Sequence, residues 1–209
     1  MFMLAVAGGV RDAAAQIKPG VLIGVNSASL TIPETFLPVE DLDLTVNVKR
    51  RTGLIVGGFV DVPVGKTLAL EVGALFSQKG SATVISIPGV VSGSADTRIQ
   101  YLDIPILGVV SVAKFSQASV HLLAGPSIGV KIGARLKATV EGQSETQDIN
   151  DEIPSTDVGL VLGARVEFSQ GVLAEFRYTH GLTDLSDTDE SVKNRVFSFL
   201  VGYRFGSSK

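Results

Sequence analysis

The sequence contains no cysteine and no tryptophan, and it has only three tyrosines among 209 residues. Without cysteine there can be no disulfides and no thiolate chemistry. A membrane-spanning helix is not expected either: although 45% of the residues are hydrophobic, no apolar run approaches the roughly 18 residues that such a helix needs. The chain also lacks an excess of basic charge, with 18 Lys and Arg against 21 Asp and Glu. This balance argues against nucleic acid as the main partner.

A two-residue alternation of apolar and polar side chains is the dominant pattern. In residues 157–168 one face carries six apolar side chains, Val158, Leu160, Leu162, Ala164, Val166 and Phe168. The other face carries Asp157, Gly159, Val161, Gly163, Arg165 and Glu167. The same period recurs in residues 172–179 and 197–205. It is the period of a β-strand, and a tilted strand crosses a bilayer in roughly 9–11 residues.

The pattern predicts eight strands joined by alternating short and long connections. The strands are expected at Lys18–Asn26, Leu42–Val62, Thr67–Gln78, Arg98–Val110, Ala118–Val140, Thr156–Phe168, Val172–Leu182 and Lys193–Phe205. The second and fifth exceed what a bilayer requires, so their ends should project beyond it. Pro63–Lys66, Ser111–Gln117 and Ser169–Gly171 are short turns, whereas Ser27–Asp41, Lys79–Thr97, Glu141–Ser155 and Thr183–Val192 are long and mostly polar. We therefore expect an eight-stranded antiparallel up-and-down transmembrane β-barrel with both termini periplasmic.

Alternation alone does not tell whether the apolar face meets lipid or a soluble core. Small residues lie between the charges of the opposite face, which suits the crowded interior of an eight-stranded barrel. The charges there are balanced, as a sealed interior requires. We predict a structural interior polar network of Asp61, Glu71, Asp103, Lys131, Arg135, Arg165, Glu167, Glu175, Arg177 and Arg204. A soluble ligand-binding β-barrel is the alternative if the membrane interpretation fails.

The first fifteen residues are interpreted as the remnant of a signal peptide, and residues 16–209 as the barrel domain. Phe2–Val10 is a short apolar stretch, and Ala13-Ala14-Ala15-Gln16 offers a small-residue cleavage site after Ala15. A basic segment does not precede the apolar stretch, so the true start codon could lie upstream. An N-terminal strand or tail is the alternative reading.

Several segments together resemble the PorT-like family of outer-membrane β-barrel proteins of Gram-negative bacteria. They are Tyr101–Leu107 (YLDIPIL), Leu123–Gly129 (LAGPSIG), Phe176–Leu182 (FRYTHGL) and Val201–Phe205 (VGYRF), in family order. The resemblance implies a barrel similar in size and closure to small OmpA-type barrels. The chain departs from the usual aromatic C-terminus, because Gly206-Ser207-Ser208-Lys209 follow Phe205. The family label implies little about mechanism.

Residues that could carry chemistry are few. His121 falls on the inward face and is expected to join the polar network, whereas His180 lies near the outer end of its strand on the lipid-facing side. A catalytic histidine needs a nucleophile and an orienting group, and no serine stands at an obvious position, so we predict no enzyme. The acidic segments 141–157 and 184–190 could hold calcium, but solvated loops are the simpler interpretation. No cofactor and no metal are expected.

The sequence thus favours an outer-membrane barrel with a side-chain-filled interior and a structural or surface-interaction role. The alternatives are a narrow passive channel and, less favoured, a lipid-modifying enzyme acting through His180. The expected partners are outer-membrane lipid and lipopolysaccharide, the barrel-assembly machinery with periplasmic chaperones, and a surface ligand of the external loops.

Overall fold

A closed antiparallel ring of strands is formed by the described part of the chain, residues 17–31, 45–87, 91–140, 143–184 and 192–206 of a computed structural model. The strands are β1 (Lys18–Thr31), β2 (Thr45–Pro63), β3 (Leu68–Ile87), β4 (Val91–Lys114), β5 (Ala118–Val140), β6 (Gln143–Asp148), β7 (Thr156–Phe168), β8 (Val172–Gly181) and β9 (Lys193–Arg204). The ring runs β1–β2–β3–β4–β5–β7–β8–β9 and closes where β9 pairs with β1. The predicted leader, residues 1–15, lies outside the described residues.

The short strand β6 does not add a ninth member to the ring. It pairs with residues 135–140 of β5, and β7 pairs with residues 118–130 of the same edge. A single 3-10 turn, Asn150–Glu152, lies between them. β6 and β7 therefore fill one position in succession, and the predicted eight-stranded up-and-down barrel is confirmed. Among the described residues, no helix has the length and apolar character to cross a membrane.

Two of the predicted long loops are wrong. Residues 79–87 and 91–97 belong to β3 and β4, which stay paired out to Ile87 and Val91, and the segment predicted as the third long loop contains β6 (Gln143–Asp148). Gly80, Ser81 and their polar neighbours suggested a loop, but cross-strand pairing with residues 91–98 holds them in the sheet. As a result β3 and β4 project beyond the barrel together with β2 and β5, which alone were expected to do so.

The two ends of the barrel differ. We call the end with turns 64–67, 115–117 and 169–171 and both ends of the described chain the turn end, and the opposite end the loop end. At the loop end, residues 45–50 of β2, 78–87 of β3, 91–100 of β4, 134–140 of β5 and the whole of β6 continue as one paired sheet. We call it the projecting sheet. Its longest reach, from Gln78 to Ile87, is about 30 Å of extended chain.

The apolar faces point outward and the charged faces inward. Leu162 and Phe199 are 52% and 57% exposed, whereas Arg165 and Glu71 are 1% and 0% exposed. On β7 the outward apolar run covers eleven residues, Val158–Phe168. At about 3.3 Å per residue and a tilt near 40° this run is roughly 25–28 Å tall, which matches the apolar band of a membrane barrel.

Inward-facing glycines let neighbouring strands approach closely. A Cβ atom built on Gly57 would lie 2.1 Å from the carbonyl oxygen of Ala74, and one on Gly125 would lie 2.1 Å from that of Ile106. Backbone cannot yield as a flexible side chain can, so these positions accept no side chain without a shift of the strand. Glycine normally weakens a strand, but at these positions it allows the close contact between strands that a small ring requires.

A bulge in β5 changes which residues face the lumen near the loop end. Lys131 is paired with Tyr101 and Gly133 with Gln100, which leaves Ile132 as an extra residue. An extra residue reverses the alternation beyond it. Ala134 is consequently buried, and Arg135, which strict alternation predicts to be inside, is exposed on the outer surface. The predicted interior position of Arg135 is therefore wrong.

Candidate functional site

The lumen next to the turn end is filled by a ring of four alternating charges, which we call the arginine–glutamate ring. Glu71 accepts hydrogen bonds from Arg165 and, at 2.8 Å, from Arg177 Nη2. Glu175 accepts from Arg165 Nε at 2.6 Å and from Arg177 Nε. Each side chain is at most 4% exposed. Both carboxylates bridge both guanidinium groups, so no charge in the ring is left without a partner.

The ring continues toward the turn end through Asp61. Its Oδ2 lies 3.4 Å from Arg165 Nη1 and 3.4 Å from Arg204 Nη1. Arg204 also pairs with Glu167, whose Oε2 is 3.9 Å from His121 Nε2. One connected network therefore contains seven of the ten predicted residues and spans β2, β3, β7, β8 and β9, with His121 of β5 at its margin.

A second polar group lies nearer the loop end. Lys79 Nζ is 3.0 Å from Asp103 Oδ1 and 3.4 Å from Asp157 Oδ2, and it sits 4.7 Å from the ring centre of Tyr101. Asn194 Nδ2 donates to Asp157 Oδ2 at 2.8 Å. This group crosses the lumen from β3 and β4 to β7 and β9. Of its members, the predicted network contained only Asp103.

Neutral side chains occupy the lumen between the two polar groups. Asn26 Nδ2 donates to Ser77 Oγ at 2.9 Å, and Ser198 Oγ donates to Asn26 Oδ1 at 2.8 Å. Two apolar clusters fill the remaining space; they are Leu22, Ile55, Phe59, Leu75, Leu173 and Leu200, and Leu107, Val109, Leu123 and Val161. The cavity found at this level measures about 20 Å³, room for about one water molecule.

A larger cavity opens at the turn end. It measures about 500 Å³, and on the side that faces the lumen it is bounded by four residues of the network, Asp61, Arg165, Glu167 and Arg204. The turns and strand ends around its mouth contribute Lys18, Lys66 and Lys114, while His121 and Ser119 line its wall. The network of the arginine–glutamate ring, the two apolar clusters and the polar group around Lys79 separate this turn-end cavity from the loop end.

Lys131 was predicted to belong to the interior polar network, but it is not part of it. Its Nζ donates to the backbone carbonyl oxygens of Asn150 and Ile153, while Asn150 Oδ1 accepts from the Ala134 amide at 2.6 Å. Lys131 therefore fastens the segment between β6 and β7 to β5. Ile149 of the same segment packs on Ile99, Tyr101 and Ala134.

Sequence reasoning missed Lys79 and Asp157 as network residues, although a signal was present. Lys79 continues the inward series Glu71, Leu75 and Ser77, but it was assigned to a loop. Asp157 lies within the predicted strand Thr156–Phe168 and on its inward face, but it was also counted among the acidic residues of the preceding loop and was left out of the network. The missed signal was thus an alternation that runs one residue past the predicted end of the strand for Lys79, and a position on the inward face for Asp157.

Neither histidine is arranged for nucleophilic catalysis. Ser119 Oγ is 2.8 Å from His121 Nε2, but Glu167 approaches that same nitrogen, whereas a triad needs the acid at the other one. His180 Nδ1 has the Tyr178 hydroxyl at 3.4 Å, and the nearby Thr183 hydroxyl accepts from the Val158 amide. Among the described residues no group of three His, Asp or Glu side chains could hold a metal ion. Asp187, Asp189 and Glu190 lie outside the described residues.

An apolar outer surface around a sealed, charge-paired lumen defines a small membrane-spanning β-barrel. Residues 13–187 match the family model "Outer membrane protein beta-barrel domain", so the chain belongs to that family and is an outer-membrane barrel. No protein with a curated description matches it.

Three solved structures of bacterial proteins are among those similar to this chain. Ail, the attachment invasion locus protein of Yersinia pestis, is 16% identical with a TM-score of 0.44, covering 90% of this chain and 98% of its own. Neisserial surface protein A is 12% identical, with a TM-score of 0.42 and coverage of 90% and 97%. OprG of Pseudomonas aeruginosa is 11% identical, with a TM-score of 0.43 and coverage of 90% and 94%.

Proposed function

We propose that this protein is a non-conducting outer-membrane barrel that carries the projecting sheet for interaction at the cell surface. The observation that carries the proposal is the filling of the lumen. The arginine–glutamate ring, the polar group around Lys79 and the two apolar clusters leave a cavity of about 20 Å³ between the ends. A lumen filled in this way within the described residues does not favour diffusion of ions or polar solutes through the barrel. The projecting sheet then becomes the part available to a partner.

The proposed orientation places the turn end in the periplasm and the projecting sheet outside the cell. Short turns at one end and long extensions at the other are the arrangement of outer-membrane barrels. With this orientation both termini are periplasmic, and insertion would proceed through periplasmic chaperones and the barrel-assembly machinery. The finer assignment to the PorT-like group belongs to the same proposal and rests on the four segments that resemble it.

Lipopolysaccharide is the proposed lipid partner. Arg98 and Arg135 lie directly opposite each other on β4 and β5, and both are exposed on the outer surface above the apolar band. Exposed Arg195 and Arg50 lie at a similar level on β9 and β2, and Arg50 stacks at 4.7 Å on Phe197. Like charges placed opposite each other repel, and phosphate groups of the outer leaflet would relieve that repulsion.

A narrow passive channel is the second candidate, and conductance separates the two. The refolded protein should give no conductance steps in planar bilayers in concentrated KCl. The double variant Arg165→Ala, Arg177→Ala removes the two guanidinium groups near the turn end but leaves the apolar clusters and the Lys79 group in place, so it should also give no conductance steps. Discrete conductance from the unchanged protein would overturn the proposal.

A complementation experiment tests the role of the projecting sheet, and with it the proposed absence of enzymatic activity. A variant in which a short turn replaces residues 82–95 keeps the membrane-spanning part of β3 and β4. For a surface-interaction role, this variant should reach the outer membrane but fail to restore the deletion phenotype. His180→Ala should restore it fully. If the shortened barrel complements and His180→Ala does not, the interaction proposal is wrong and the enzyme alternative is supported.

A further inference from the structure

The turn-end cavity contains more positive charge than its own acids neutralise. Five cationic side chains line it, Lys18, Lys66, Lys114, Arg165 and Arg204, against two carboxylates, Asp61 and Glu167. The two arginines already pair with those carboxylates. The three lysines make no ion pair or hydrogen bond within the part of the chain that the structure describes. The excess of positive charge is therefore concentrated at the mouth of the cavity.

The positions of the lysines come from three separate elements that the barrel brings together. Lys18 begins β1, Lys66 lies in the β2–β3 turn, and Lys114 ends β4. Like charges gathered around one opening repel one another unless an anion lies between them. A concave, partly closed site with charge of one sign also concentrates ions of the other sign.

The wall of the cavity adds polar groups suited to an anion. Ser119 and His121 line it, and their side chains form a 2.8 Å contact. A hydroxyl can donate to an oxyanion, and lysine binds phosphate as a compact point charge. The volume of about 500 Å³ is within the range of small-molecule sites, about 300–1,000 Å³. The size and charge together fit a small polar anion rather than an apolar ligand.

We propose that the turn-end cavity binds a phosphate-bearing anion through Lys18, Lys66 and Lys114. The phosphate could belong to a soluble molecule or to the headgroup of an anionic phospholipid in the adjacent leaflet, because both present the same chemistry to the lysines. This site is independent of whether the barrel conducts and of what the projecting sheet binds. It would give the periplasmic end of the barrel a ligand of its own.

The experiment follows backbone amide signals of the refolded, isotope-labelled protein by NMR while inorganic phosphate is titrated at constant ionic strength. Saturable shifts should appear at residues 18, 66, 114 and 119. The triple variant Lys18→Gln, Lys66→Gln, Lys114→Gln should weaken binding by at least about tenfold, since it removes all three point charges. Lys137→Gln, an exposed lysine of β5 outside the cavity, should bind as the unchanged protein does.

Two membrane environments separate the sources of the phosphate. Saturation by inorganic phosphate in nanodiscs of phosphatidylcholine supports a soluble anion. Shifts at the same residues that appear only when phosphatidylglycerol is added, and that are lost in the triple variant, support a lipid headgroup. Absence of saturable shifts in both environments, or equal affinity of the triple variant and the unchanged protein, overturns the proposal. The heat-dependent gel mobility of each variant verifies that its barrel is intact.

Discussion

At the scale of single residues, this barrel depends on how its buried charges are shared. Arg165 touches Asp61, Glu71 and Glu175 at once and is 1% exposed. A buried ion pair adds little stability compared with a well-packed apolar pair, but removing one partner leaves the other charge stranded at high cost. The residue with the most partners should therefore be the one whose loss is most severe.

Replacement of Arg165 should test this directly. Arg165→Met keeps much of the side-chain volume but removes the positive charge that Glu71, Glu175 and Asp61 share. Three buried carboxylates then have only Arg177 and Arg204 as partners, so the free energy of unfolding should fall by about 3–5 kcal/mol. Urea unfolding in lipid vesicles measures the loss. Arg135→Met, the same substitution at an exposed outer position, should change the free energy by less than about 0.5 kcal/mol. Equal effects of the two substitutions would contradict the assignment of Arg165 to the sealed lumen.

The inward glycines make a second prediction at this scale. Gly125→Ala places a methyl group 2.1 Å from the Ile106 carbonyl oxygen, so β4 and β5 must move apart, at a cost of about 1–3 kcal/mol. Gly108→Ala, whose nearest neighbour would be 3.6 Å away, is the matched control and should be close to neutral. The midpoint of urea unfolding distinguishes the two, and a Gly125→Ala variant as stable as the control would show that the strands are not held by this contact.

At the scale of the element, each strand combines a lipid face and a lumen face with a boundary near the loop end. Outward apolar residues give way to polar or cationic ones, as from Leu54 to Arg50 on β2 and from Leu102 to Arg98 on β4. Beyond that boundary the strands β2 to β6 no longer need lipid, yet they remain paired. The position of the boundary, rather than the end of the strand, sets the height of the membrane band.

Arginine substitutions along β7 should measure this boundary. Leu162→Arg places a charge near the middle of the outward run and should cost about 2–4 kcal/mol, whereas Thr156→Arg at the loop-end boundary should cost about 0–1 kcal/mol. Both positions face outward on the same strand. Unfolding in vesicles provides the comparison. Similar costs at the two positions would mean that the apolar face of β7 does not lie against lipid.

Some features of the strands could be predicted from the sequence and others could not. Strand identity and facing were predictable, because β7 and β8 follow one uninterrupted alternation. The outward position of Arg135 was not predictable, because a bulge depends on how two strands pair and leaves no mark in the sequence of β5 itself. The β3–β4 extension was missed for a similar reason: residues 80–87 and 91–97 each have the composition of a loop, and they become strands only through pairing with each other.

At the scale of the whole molecule, the barrel has two dissimilar ends. The projecting sheet emerges at the loop end, while a cationic cavity opens at the turn end. Between them, within the described residues, the lumen is filled by the two polar groups and the apolar clusters. Any surface role and any role of the turn-end cavity are therefore separable, and substitutions at one end should leave the other unaffected.

The absence of cysteine allows the proposed orientation to be tested with single substitutions in living cells. Ser94 is exposed in the projecting sheet, and Ser116 is exposed in a turn at the opposite end. Each is replaced singly by cysteine. A membrane-impermeant maleimide should label the Ser94→Cys variant on intact cells, because the proposed orientation places that residue outside the cell. The Ser116→Cys variant should react only after the outer membrane is permeabilised. Labelling in the reverse pattern would place the turn end outside the cell and assign the cationic cavity to the extracellular face.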